Sequence, residues 1–162
     1  MGLGVVARNH EGVIVATVCR SPSHISDLST TEGMAARIDV ELSNSLGLRD
    51  IILEGDALEV VQALNQSDMC CRSYGQIIND SKFLMSCGSS WIVKHIWRTA
   101  NGVAHQIAKL GLEQNEEQIW RMTFPGSVTD IAVADLAHVG RSYLKGVFLF
   151  SKHDHICDVC CF

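Results

Sequence analysis

This sequence predicts an α/β fold, a mixed sheet flanked by helices, and three observations predict it. Short apolar or β-branched runs at 3–8, 13–19, 51–53 and 91–97 alternate with longer stretches of helical spacing. Helical stretches stand between strand-like runs, so parallel pairs joined by crossover helices are expected. The chain has 162 residues, 47% of them hydrophobic and 2 of them proline. That is apolar material enough for one buried core and too little proline for a proline-rich linker.

The elements follow in order. Residues 3–8 and 13–19 flank Asn9-His10-Glu11-Gly12, a turn with glycine where positive φ is easiest, and together read as an antiparallel hairpin. Ser29-Thr30-Thr31-Glu32 has the form of a capping box, with Ser29 as the N-cap and Glu32 reaching back to its amide. The helix it opens carries Met34, Ile38, Leu42 and Leu46 at four-residue steps, and Gly47 stands where a left-handed stop is expected. Ile51-Ile52-Leu53 is continuous and apolar, as befits a strand covered on both faces. Leu58, Val61 and Leu64 then fall at helical spacing, which puts Asp56 at a strand-to-helix junction. A further helix is expected over 74–87, a strand over 91–97, and a helix over 101–112 with Val103, Ile107 and Leu110 on one face. The order is β-β-α-β-α-α-β-α, and clear periodicity ends after about Asp135.

Composition narrows the function classes. The formal charge of -5, from 13 Lys and Arg against 18 Asp and Glu, excludes a surface that is basic throughout. Seven cysteines without framework spacing argue for reduced thiols and a soluble, intracellular protein, with nucleus and cytoplasm not distinguished. The N-terminus lacks the pattern of a signal peptide, and the apolar run 146–150 is too short to span a bilayer. Cys157 and Cys160 form a Cys-x-x-Cys pair near His153 and His155, but no second ligand pair stands at structural spacing, so no zinc site is expected. Trp91, Trp97 and Trp120 are expected in the core.

Three segments carry candidate chemistry. Glu32 lies in the first turn of a helix, Asp56 at the C-terminal end of a strand, and His105 four residues after Asn101 in the last helix. Ligand crevices of α/β sheets lie at the C-terminal strand ends. Carboxylates brought together there hold Mg²⁺ through hard oxygen ligands, with positions left for phosphate oxygens and water.

The same segments resemble a known family. The run from Gly2 to Gly12 looks like the second-strand signature of plant RNase H-like domains, the type 1 ribonuclease H superfamily often found in retroelement-derived genes. Thr31-Glu32-Gly33-Met34-Ala35-Ala36 is similar to that family's glutamate helix. Leu53 to Val61 resembles its aspartate strand, and His95 to Ala108 its closing motif. The resemblance implies an RNase H-like domain over 1–112, a family-like tail over 113–135 and an unmatched extension over 136–162. It implies endonucleolytic cleavage of RNA in RNA–DNA hybrids by a two-metal mechanism with Mg²⁺ or Mn²⁺. Glu32 and Asp56 would be catalytic, Glu32, Asp56 and His105 metal ligands, and Arg98 and Asn101 nucleic-acid contacts, with Lys94 and Lys109 as further phosphate contacts.

Two departures bear on catalysis. Family members begin with a central strand carrying aspartate and glycine, and no such strand precedes Gly2, so the resemblance implies a sheet without its first strand. His105 stands where catalytic members carry a fourth aspartate, and a neutral imidazole adds no negative charge and suits Mg²⁺ poorly. The inherited activity is therefore expected to be impaired. The alternative is a non-catalytic module that binds nucleic acid or a protein partner.

Overall fold

The computed structural model describes residues 2–22, 27–113, 117–130 and 133, and the backbone of 157–161. The expected hairpin is present. Strand β1 (Leu3–Arg8) pairs antiparallel with strand β2 (Ile14–Arg20), Val5 opposite Val18 and Ala7 opposite Ala16. Asn9 Oδ1 accepts from the amides of Glu11 and Val13 at 3.0 and 2.9 Å, and Gly12 takes φ of 80°. The asparagine and the glycine thus set the turn.

Helix α1 (Leu28–Ser45) begins two residues earlier than a capping box at Ser29 requires. Its N-cap is Asp27, whose carboxylate accepts from the Thr30 amide at 2.8 Å and from the Thr30 hydroxyl. A carboxylate at the residue before Leu28 caps the exposed amides and favours the positive end of the helix dipole. Ser29 instead donates its hydroxyl to Glu59. This corrects the capping box, and it leaves the Glu32 carboxylate for other work. The stop is as expected: Gly47 has φ of 70°, and the Leu48 amide donates to the Ser43 carbonyl at 3.1 Å.

Strand β3 (Asp50–Gly55), helix α2 (Leu58–Asn65), helix α3 (Gly75–Met85), strand β4 (Ser90–His95) and helix α4 (Gly102–Glu113) follow, with a short 3-10 turn at Arg98–Ala100 before α4. Two further strands carry no legible period in the sequence, β5 (Gln118–Arg121) and β6 (Cys157–Cys161). The sheet order is β4-β3-β6-β1-β2-β5. Strand β3 runs parallel to β4 and β6, whereas β1 is antiparallel to β2 and β6, and β5 is antiparallel to β2. The sheet is mixed, with helices against it, as predicted.

The two-residue period of β1 divides the core. Leu3, Val5 and Ala7 pack with Ala35, Ile38 and Val60 on the α1 side, while Val6 packs with Val103, Ala104 and Ile107 of α4. Gly2 and Gly4 share the parity of Val6. A Cβ on Gly4 would lie 2.2 Å from the Ala104 carbonyl oxygen, and one on Gly2 1.9 Å from that of Ala108. The Gly-x-Gly of the first strand therefore lets α4 lie backbone to backbone on β1. Burial of Val103 and Ile107, each 1% exposed or less, holds the helix there at about 1.5–3 kcal/mol apiece.

Trp97 departs from the core expectation, being 78% exposed and in edge-to-face contact with His95 at 5.7 Å. It follows the end of β4, an edge strand, and among the described residues no neighbouring strand covers it. Trp91 and Trp120 are half-buried and pack against the core.

Candidate functional site

The site forms where β3 ends. Asp56 is the residue after β3, and the Ile96 amide donates to the Gly55 carbonyl at 3.0 Å, so the chain leaving β4 passes directly beside it. That crossing brings the turn at Arg98–Ala100 and the start of α4 to the same end of the sheet. The close seat of α4 on Gly2 and Gly4 then fixes how near its first residues come to β3.

Both oxygens of Asp56 face α4. Asn101, 3% exposed, donates from Nδ2 to Asp56 Oδ1 at 2.9 Å. His105 Nε2 lies 3.3 Å from Asp56 Oδ2, within ion-pair reach when the imidazole is protonated, although its alignment falls short of a hydrogen bond. Glu32, from α1, approaches the same carboxylate. Burial pushes its carboxyl above the usual carboxylate range, the negative charge of Asp56 pushes it further, and the Arg98 guanidinium partly offsets both.

Two adjoining hollows result. A narrow one of about 50 Å³ lies between β1, α1 and α4, and Glu32, Asp56, Asn101 and His105 line it. A shallower one of about 400 Å³ opens over α2, lined by Leu28, Glu32, Asp56, Glu59, Gln62 and Arg98. Glu32 and Asp56 belong to both. The structure thus brings together all five residues singled out in the sequence, Glu32, Asp56, Arg98, Asn101 and His105. Lys94 and Lys109 line neither hollow and lie exposed. Sequence reasoning misses Leu28, Glu59 and Gln62. They lie one helical turn apart or belong to another helix, and no local pattern marks them as neighbours of Asp56.

The donor set answers the metal question in part. Glu32 and Asp56 repel one another, a conflict that a cation between them would relieve. Yet among the described residues no three of His, Cys, Asp and Glu stand close enough to hold one ion. Asp56 Oδ1 already accepts from Asn101, and His105 Nε2 stands 3.3 Å from Oδ2. The described residues do not fit a two-metal centre. Of the tail cluster Cys157, Cys160, His153 and His155, the two histidines fall outside the described residues.

The comparisons agree with this architecture. The sequence profile of the reverse transcriptase-like family matches residues 1–111. Among solved structures, the chain is similar to RNase H1 from the halophilic archaeon Halobacterium salinarum, at 22% identity and a TM-score of 0.63. That likeness covers 69% of this chain and 85% of the archaeal one. No curated protein matches the sequence. Among the described residues no helix is long and apolar enough to cross a membrane. From the profile over its first 111 residues, the chain belongs to the reverse transcriptase-like family, and its fold is that of RNase H.

Proposed function

We propose that this domain binds nucleic acid, with an RNA–DNA hybrid as its ligand, at the hollow shared by Glu32, Asp56 and Arg98. The observation that carries the reading is the convergence of these residues with Asn101 and His105 at the C-terminal end of β3, on an RNase H fold. Arg98 supplies the positive charge for a phosphate at the rim, while a hybrid is read through its shape and its 2′-hydroxyls. With a net charge of -5, affinity is modest and strongly salt-dependent. Fluorescence anisotropy with labelled hybrid, RNA duplex and single strands tests this. A salt-dependent rise with hybrid is expected, and a flat titration at low salt overturns it.

Hydrolysis of the RNA strand with Mg²⁺ or Mn²⁺ is the second reading, favoured by the Glu32–Asp56 repulsion that a cation would lower. Its ligands would be Glu32, Asp56 and His105, which would have to draw closer together to share an ion. The Asn101 bond to Asp56 and the lack of a three-ligand cluster among the described residues favour binding without turnover instead. Incubating labelled hybrid with the protein and either ion separates the two. Cleavage lost on Asp56→Asn supports hydrolysis, and an intact strand supports the binding module.

A further inference from the structure

The centre of the sheet is filled from the far end of the sequence. Strand β6 lies between β1 and β3, antiparallel to the first and parallel to the second. Val159 is paired with Arg8 on one side and Ile52 on the other, and Cys160 with Ala7 and Leu53. We infer that residues 157–161 serve as an inserted central strand that joins two half-sheets, and with them the two halves of the candidate site.

The halves are distinct. The β4–β3 pair ends in Asp56 and leads to Arg98, while the β1–β2–β5 group carries α4 with Asn101 and His105. Helix α1 packs across both, but in the sheet itself β6 is the one strand between them among the described residues. Without it, the inner edges of β1 and β3 would leave unpaired backbone donors and acceptors in the middle of the domain, a costly arrangement. The slot also has a direction. Its occupant must run parallel to β3 and antiparallel to β1, a requirement that an extended segment meets through backbone hydrogen bonds whatever its side chains.

What the inserted strand contributes to the site is position. Its one acidic residue, Asp158, is paired with Ile51, five residues before Asp56. At roughly 3.3 Å per residue this sets Asp158 about 16 Å away along the strand, out of reach of a ligand shared with Asp56. The segment 157–161 therefore fixes the spacing between Asp56 and α4 and adds no carboxylate there.

Hydrogen exchange on the unmodified full chain tests the assignment without any nucleic acid, so its outcome is separate from hybrid binding. The amides of 157–161, like those of β2, are expected to exchange at least roughly 100-fold more slowly than in an unfolded chain. Exchange at unfolded-chain rates overturns it. A second measurement uses Ala7→Cys, since paired residues on antiparallel strands lie within disulfide range of one another. Mild oxidation is expected to give a cross-link from position 7 to Cys160 within one chain, mapped by mass spectrometry. Absence of that link, or a link only between two chains, overturns the assignment. Val159→Pro then removes ladder bonds from the centre, and is expected to speed exchange in β1 and β3 while sparing the β2–β5 pairing. Unchanged protection in β1 and β3 would also overturn it.

Discussion

Asn101 holds Asp56: its side-chain amide donates to Asp56 Oδ1 at 2.9 Å across the gap between α4 and the end of β3. Because Asn101 is almost fully buried, the bond is shielded from competing water. Asn101→Ala is expected to destabilise the domain by about 1–3 kcal/mol, the range for leaving a buried polar partner unsatisfied. Urea denaturation measures this, and an unshifted midpoint would show that the contact contributes nothing. The residue expected from resemblance to touch nucleic acid is thus placed to orient a carboxylate.

Glu32 is expected to weaken the folded state at neutral pH. Its carboxyl is raised by burial first and by Asp56 second, so the folded chain holds that proton more tightly than the unfolded chain. The stabilisation is complete below the ordinary glutamate value of about 4.3 and is lost as pH rises through the raised one. Glu32→Gln should therefore raise Tm at pH 7 and change it little in acid. Thermal melts across that range decide it, and an equal or lower Tm at pH 7 would contradict the electrostatic account.

Gly4 and Gly102 should respond in opposite ways to the same substitution. A methyl at Gly4 meets the Ala104 carbonyl oxygen at 2.2 Å and the Ala108 nitrogen at 2.4 Å, both backbone atoms that cannot turn aside. Gly4→Ala is expected to cost about 1–3 kcal/mol or more as α4 is pushed from β1. Gly102, at the start of α4, has nothing within 4 Å of such a methyl. Gly102→Ala is expected to be neutral or to stabilise by up to about 1 kcal/mol through helix propensity. Chemical denaturation of the pair checks the contrast.

Arg98 is exposed and lines the larger hollow. Arg98→Ala should leave the melting temperature nearly unchanged while weakening hybrid binding and lowering the salt slope by about one. Anisotropy titrations at several salt concentrations read both quantities. An unaltered slope would remove Arg98 from the phosphate contacts.

The sequence and the structure part at identifiable residues. The hairpin turn was legible because Asn9 and Gly12 act on their own neighbours, and the α1 stop because Gly47 needs only its own φ. The N-cap was not: Asp27 and Ser29 both suit that role, and the choice depended on Ser29 finding Glu59 thirty residues away. The five candidate residues stand in recognisable motifs, whereas Leu28, Glu59 and Gln62 share the hollow with nothing in their local pattern to announce it. Trp97 reads as core by type and is exposed in the turn that follows β4, an edge strand.

By itself the sequence determined the elements and their α/β class, since periodicity and turn chemistry act over a few neighbouring residues. It also determined which groups could do chemistry. Only the tertiary structure decided that Asp56 is held by Asn101 and faces His105, and that Gly2 and Gly4 exist to admit α4. It alone decided that residues 157–161 enter the sheet between β1 and β3. Such pairings join backbones from 107 to 155 positions apart, and a backbone hydrogen bond leaves no mark on the identity of the residues that make it.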